Sequence, residues 1–261
     1  MSTCAKRPPV RAIWQAGARA QGGRGRFSVI AWRSMRRASG VAVALVAALG
    51  GVAWPWAAAG AGAATVGVAF HVAHAGAGAG AAATPVLERA ALEAMLARAS
   101  ALLGVAGLCF ERAGTDALAP DTHLDLVTRA DRHALADAAA RPHGVVEVFV
   151  VRSLADVDVH GGVLAGVHWR WAGKGKEHAG RRWVILSATG AGEDTLAHEL
   201  GHWLGLGHAT APENLMTPAS RRTGTALTPA QRARIRAVLA AALKRGELAP
   251  GKECAPAPAP I

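Results

Sequence analysis

The stretch His198–His208, HELGHWLGLGH, sets three histidines and one glutamate among eleven residues, and whether those side chains can meet decides the fold around them. The longer segment GEDTLAHELGHWLG offers Asp194 as an N-cap and then a helical pattern. At about 100° per residue, Leu196, Leu200, Trp203 and Leu204 fall within about a third of the helix circumference. His198 and His202 fall on the other side, one turn apart. One helix can therefore bury its leucines and aim both imidazoles into a cleft. A pair at this spacing can bind one zinc ion, each nitrogen about 2.0–2.1 Å from it. Glu199 projects beside the pair, where it reaches a water on the metal rather than the metal itself.

His208 cannot join that pair on a continuous helix, because it would lie about 15 Å further along the axis. Gly205 and Gly207 flank Leu206, and glycine readily takes the left-handed conformation that ends a helix. A chain reversing at Gly205 brings His208 back as a third ligand. Three protein nitrogens with one open position describe a catalytic site rather than a structural one.

HELGHWLGLGH matches His-Glu-x-x-His-x-x-Gly-x-x-His, and in this it resembles the metzincin zinc metallopeptidases. Downstream, HATAPENLMTP places Met216 eight residues after His208, similar to the matrixin pattern of a short connection, Leu-Met and then proline. Upstream, GGVLAGVHW resembles the matrixin edge strand that lines the substrate cleft, here Val163, Leu164, Ala165, Gly166 and Val167. The tight match covers about 25 residues, and a looser one most of Thr65–Leu248. The resemblance implies an α+β fold with a twisted, mostly parallel sheet, an antiparallel edge strand, an active-site helix, a Met-turn and a C-terminal helix. It also implies one catalytic Zn2+ held by His198, His202 and His208, with Glu199 as general base and then acid, and Met216 beneath the histidines without a chemical part.

The departures are specific. The chain has no tyrosine, so no tyrosine after the Met-turn can serve as an extra ligand or oxyanion partner. TPAS follows Met216 where matrixins carry an aromatic-bearing specificity wall, and Gly166 stands where they carry a second-zinc histidine. No cysteine-switch propeptide is recognisable. Asp156, Asp158, His160 and His168 are residue types a second metal takes, but they read as solvated loop residues, as do His71 and His74. Nothing supports a structural Ca2+ or a second Zn2+.

The rest of the sequence frames this segment. Of 29 Lys and Arg, nine lie in residues 1–40, which hold no Asp or Glu, so the other 20 face all 18 acidic residues. The net charge of +11 thus belongs to a leader and not to a nucleic-acid surface. Ala38–Leu87 has no charged residue, and Val41–Trp56 (VAVALVAALGGVAWPW) is an apolar run behind Arg36 and Arg37, followed by small residues. That order is the layout of a secretory signal peptide, with Met35 as an alternative start and an uncleaved membrane anchor as the rival reading. Cys109 and Cys254 would remain in an exported body, either as one disulfide or as two free thiols.

Residues 1–63 are accordingly a leader, 64–250 the peptidase-like domain and 251–261 a Pro/Ala-rich tail. Thr65–Val72 alternates with Val66, Val68, Phe70 and Val72 on one face, a strand signature. Ala75–Ala83 reads as a loop. Thr84–Gly104 reads as a helix with Thr84 as N-cap, Pro85 in the first turn and Gly104 at its end. GLCFERA, Gly144–Leu154, Gly161–Trp171 and Arg181–Thr189 read as strands, with a solvated basic loop between the last two. Thr228 and Gln231 have capping-box spacing for a final helix with Pro229 in its first turn. The function expected is an exported zinc-dependent peptidase, located in a periplasm, on a cell surface or outside the cell. Its partners are a peptide or protein substrate and no nucleic acid, with membrane contact only through an uncleaved leader, and it acts as a monomer. The alternatives are a secreted zinc-containing binding module and a narrow processing peptidase acting on one partner.

Overall fold

A computed structural model describes residues 63–76, 82–173 and 176–254. The leader with its apolar run, most of the Ala75–Ala83 tract and the end of the Pro/Ala tail lie outside the described residues. Among the described residues no helix is long and apolar enough to cross a membrane.

The alternating Thr65–Val72 segment becomes strand β1 (Ala63–Val72), and helix α1 (Arg89–Leu103) follows it. Strand β2 (Leu108–Ala117), helix α2 (Arg129–Ala138) and strand β3 (Val146–Val151) come next. After the edge strand β4 (Gly166–Arg170) and strand β5 (Arg182–Ser187) come the histidine helix α3 (Thr195–Trp203) and α4 (Pro229–Lys244). A two-residue strand, β6 (Glu253–Cys254), closes the order.

The main sheet runs β2-β1-β3-β5-β4, with β6 beside the start of β1. β1 is parallel to β2 and to β3, and β3 is parallel to β5. Only β4 and β6 run antiparallel to their neighbours. Every residue of β3 is buried, which is why VEVFVV is apolar at every position but Glu147 and does not alternate. One face of the sheet joins Val66, Val68, Phe70 and Val72 to Leu92, Leu96 and Leu103 of α1, Leu196 and Leu200 of α3, and Ile235 and Leu239 of α4. The other face packs Phe149, Trp183 and Ile185 against Leu135 of α2. The mostly parallel sheet with an antiparallel edge is the expected architecture.

Several local expectations are corrected. Thr84 and Pro85 do not open α1; they pair with His74 and Ala75, and Val86 N–H donates to Ala73 O at 2.9 Å. Proline disfavours a helical residue before it, so this stretch stays extended and the helix starts at Arg89 behind Glu88. At the other end the chain tightens into a short 3-10 turn, Gly104–Ala106, and the left-handed residue is Gly107 at φ 81°. Helix α2 was not anticipated, although Thr128 and Asp131 form its capping box. Strand pairing reaches Cys254 and Thr65 N–H donates to Lys252 O, so the packed body continues past residue 250. Cys109 is disulfide-bonded.

The basic loop before β5 is not wholly solvated, because Arg181 at its end is 3% exposed. Its guanidinium makes a two-pronged pair with Glu147 of β3 at 2.6 and 3.0 Å and donates to Ala136 O. His71 is likewise no loop residue: it is fully buried in β1, with its ring 4.8 Å from Phe149 and Nε2 3.8 Å from Glu147. Burial holds its pKa below the usual histidine value. His74 sits half-buried in the short ladder with Thr84–Pro85, its Nδ1 2.9 Å from Val72 O. Glu147→Ala strands the Arg181 charge and should destabilise the fold by about 3–5 kcal/mol in urea unfolding. Glu147→Leu combined with Arg181→Met removes both charges and should cost far less.

Candidate metal centre and cleft

Helix α3 buries Leu196, Ala197, Leu200 and Trp203 in the core and leaves its histidine side toward a cleft. Asp194 stands at the N-cap position but does not cap with its side chain. Its carboxylate instead accepts from Arg98 Nε at 2.8 Å and lies 3.6 Å from Arg222 Nη2. At the other end, Gly205 N–H donates to His202 O at 3.0 Å and Leu206 N–H to Gly201 O at 2.9 Å. That pair of bonds is a Schellman motif, and it places Gly205 in the left-handed region at φ 85°. The chain reverses there.

The reversal brings His208 to the helix pair. Ring centroids lie 4.7 Å apart for His198–His202 and for His202–His208, and 5.5 Å for His198–His208. One ligand nitrogen from each lies within 4.8 Å of the other two, and this is the only such His/Cys/Asp/Glu group among the described residues. His198 Nδ1 is 2.8 Å from Leu215 O, and His202 Nδ1 is 2.9 Å from Leu206 O. A carbonyl only accepts, so both Nδ1 atoms carry the proton and both Nε2 atoms present lone pairs. Those two Nε2 atoms stand 3.1 Å apart. Lone pairs facing at that distance repel unless a cation lies between them, so the donor set fits a small dication with imidazole preference. Burial holds the pKa of His198 down to about 4 and lowers that of His202, which keeps both neutral as ligands must be.

Met216 is fully buried directly behind α3. A Cβ on Gly201 would sit 2.5 Å from Met216 Sδ, so the first glycine of HELGHWLG is what lets the turn approach the helix. Asn214 positions that turn: its Oδ1 accepts from Met216 N–H at 2.9 Å and from Gln231 Nε2 at 3.0 Å, and its Nδ2 donates to Gln231 Oε1 at 2.8 Å. Gln231 also closes the expected capping box of α4 with Thr228. Arg222 adds a further support, donating through Nη1 to the same Leu215 carbonyl at 3.0 Å. The roles of Gly201, Asn214 and Arg222 emerge only from the fold. Only the glycine carried a signal, as a helix-interior glycine between two ligands.

Glu199 is 5% exposed and leans toward β4. A Cβ on Gly166 would lie 2.9 Å from Glu199 Cγ, so Gly166 makes room for the glutamate. Burial pushes the Glu199 carboxyl up to about 8, opposed by the His168 backbone N–H that bonds it, and its Oε2 has no partner. His168 lies in β4, half-buried, with its pKa pushed down to about 3 by burial; it is not a solvated loop residue. Asp158 and His160 are exposed on the preceding loop, and Asp158 pairs with Arg129.

The cleft, about 1050 Å³, is lined by Val163–Arg170, the three histidines, Glu199 and Pro218–Ser220. Regular pairing of β4 starts only at Gly166. Val163 bridges to Ala155 and Ala165 O accepts from Ser187 N–H, so Val163–Ala165 is an irregular entry to the strand, with Val163 81% exposed.

Two substitutions test this construction. Gly201→Ala improves helix propensity but forces the buried Met216 to move, and a net loss of about 1–3 kcal/mol is expected in thermal unfolding. Met216→Ala in the same chain should recover part of it. Gly205→Val meets both the left-handed backbone and Val238 Cγ2 3.0 Å from its Cβ, and should lower zinc affinity on the order of tenfold with every ligand intact. Unchanged affinity in competitive chelator titration would show that another feature makes the turn.

Comparison with known proteins bears on the same stretch. No curated protein matches the chain in sequence. Metalloproteinase-II from Bacteroides fragilis is similar in structure at 11% identity and a TM-score of 0.46, over 68% of this chain and 54% of its own. The chain thus spans about half the length of that protein. Archaemetzincin from Methanopyrus kandleri is similar at 14% identity and a TM-score of 0.41, over 67% of this chain and 96% of its own. In sequence, residues 152–238 match the matrixin family of peptidases. The residues that match the matrixin family are those that carry the edge strand, Glu199, the three converging histidines and Met216.

Proposed function

We propose that the chain is an exported zinc endopeptidase. The observation that carries this reading is the convergence of three imidazole nitrogens beside a buried carboxyl oxygen with no partner, on the wall of an open cleft. His198, His202 and His208 would hold one zinc ion, and three protein ligands leave a fourth position for chemistry. When bound, zinc supplies a Lewis acid that polarises a carbonyl and acidifies water at neutral pH.

The chain's own groups do the rest. Leu215 O and Leu206 O hold two imidazoles in one tautomer and one orientation. Glu199, anchored by the His168 N–H and kept from solvent, takes a proton from the attacking water and returns it to the leaving amine. An extended peptide lies along Val163–Val167, adding main-chain bonds at the free side of β4, the edge of the sheet.

Export is supported by the basic and then apolar leader and by the disulfide at Cys109, which suits an oxidising compartment. The leader through residue 63 would be removed or left as an anchor, and the catalytic body acts as a monomer. The decisive variant is Glu199→Ala. Peptide cleavage should fall by about 10²–10⁴-fold while the purified protein keeps one zinc per chain. Wild-type activity in that variant, or wild-type protein that retains no zinc, contradicts the proposal.

A further inference from the structure

Beyond Gly205 the cleft does not end. A groove of about 690 Å³ continues it, and the two share Arg170 of β4, Gly205 and Arg234 of α4. Arg141, Arg182 and Arg245 also line this groove, and Glu247 is the one acidic residue that does. Glu247 is committed between two of these cations, 2.6 Å from Arg182 Nε and 2.7 Å from Arg245 Nη2. Arg141, Arg170 and Arg234 are exposed and have no carboxylate partner among the described residues. Arg182 is held rigidly, 8% exposed, with Nη1 on Trp203 O at 2.7 Å and its guanidinium stacked 3.7 Å over the Trp203 ring. Its Nη2 is buried and has no partner.

This concentration stands out because the body as a whole is nearly balanced in charge. Residues 1–62, 77–81, 174–175 and 255–261 contain no Asp or Glu, so no side chain in those stretches can supply a carboxylate to neutralise it. The charged side chains of residues 1–63 are all Lys or Arg. The exposed guanidiniums of Arg141, Arg170 and Arg234 are open to another molecule, and a chain leaving the cleft past Gly205 would run beside them.

We infer that the groove selects substrates, and that the preferred substrate is a polypeptide carrying a run of acidic residues on one side of the cleaved bond. Arg170 and Arg234 meet the first carboxylates at the mouth, and Arg182, Arg141 and Arg245 extend the positive field beyond it. The inference rests on the peptidase reading for the word substrate, and on the groove's charge for the word acidic.

The test uses the zinc-loaded full chain and peptides that share one cleaved core, extended on either side by a short run of Glu, Gln or Lys. On one side only, Glu should raise kcat/KM about fivefold over Gln at low ionic strength, the sum of two exposed ion pairs. The advantage should fade as salt shortens the screening length to about 3 Å at 1 M. In the variant carrying both Arg170→Gln and Arg234→Gln the Glu-to-Gln ratio should fall close to one, a readout that cancels any general loss of activity. A wild-type ratio near one on both sides, or a ratio unchanged in the double variant, overturns the inference. If no peptide is cleaved, the peptidase reading fails, and binding of the fluorescent Glu-run peptide by anisotropy reads the groove alone. Binding that both arginines support upholds it, and absent binding overturns it. Tighter binding of a single-stranded oligonucleotide of equal charge also overturns it, because the groove would then serve nucleic acid.

Discussion

Two backbone carbonyls, those of Leu206 and Leu215, fix the chemistry of this site. Each accepts a hydrogen bond from the Nδ1–H of one helix histidine and so turns an Nε2 lone pair inward. An imidazole free to rotate would present either nitrogen, and a metal would have to order it on binding. Here the ordering cost is met during folding. Both carbonyls belong to chain that returns after a reversal, Leu206 directly behind Gly205 and Leu215 in the Met-turn, so neither anchor exists until the helix has been stopped and the chain folded back.

Those returns are tied to the rest of the domain by specific contacts. The Met-turn is joined to α4 through the Asn214–Gln231 amide pair, and Gln231 is also the N3 residue of that helix's capping box. Losing the cap would therefore loosen the turn as well as the helix. Arg98 of α1 reaches Asp194 at the start of α3, and Arg222 links Asp194 to the Leu215 carbonyl. The sheet contributes the opposite wall, where Gly166 gives Glu199 the room to lie beside the ligands. A small set of glycines thus sets distances: Gly201 for Met216, Gly166 for Glu199 and Gly205 for the reversal.

The parts of this arrangement that were legible in the sequence are those encoded by short-range spacing. The i, i+4 histidines, the glycine at the helix end, the methionine eight residues on and the Thr228–Gln231 box all rest on local geometry, and the backbone adopts them. Long-range pairing left no local trace. Arg222, Asn214 and Arg181 look like ordinary polar loop residues, and only the fold shows Arg181 buried against Glu147, 34 positions away in sequence. His71 differs from its solvated reading for the same reason, since a histidine in an alternating strand looks solvent-facing until both sides of the sheet are covered. The start of α1 failed on a competing local rule: Thr-Pro suits a helix N-terminus, but here a backbone bond from Val86 to Ala73 holds it extended. The groove of arginines was invisible because its members come from β4, β5, α4 and the loops at residues 141 and 245, each unremarkable alone.

The central claim is that these three histidines form one metal centre with an open position. X-ray absorption at the zinc edge of the stoichiometrically loaded chain measures it most directly. The account predicts three imidazole nitrogens and one oxygen from water in the first shell, at about 2.0–2.1 Å. A shell that contains sulfur, or one completed by a fourth protein ligand with no water, would contradict it.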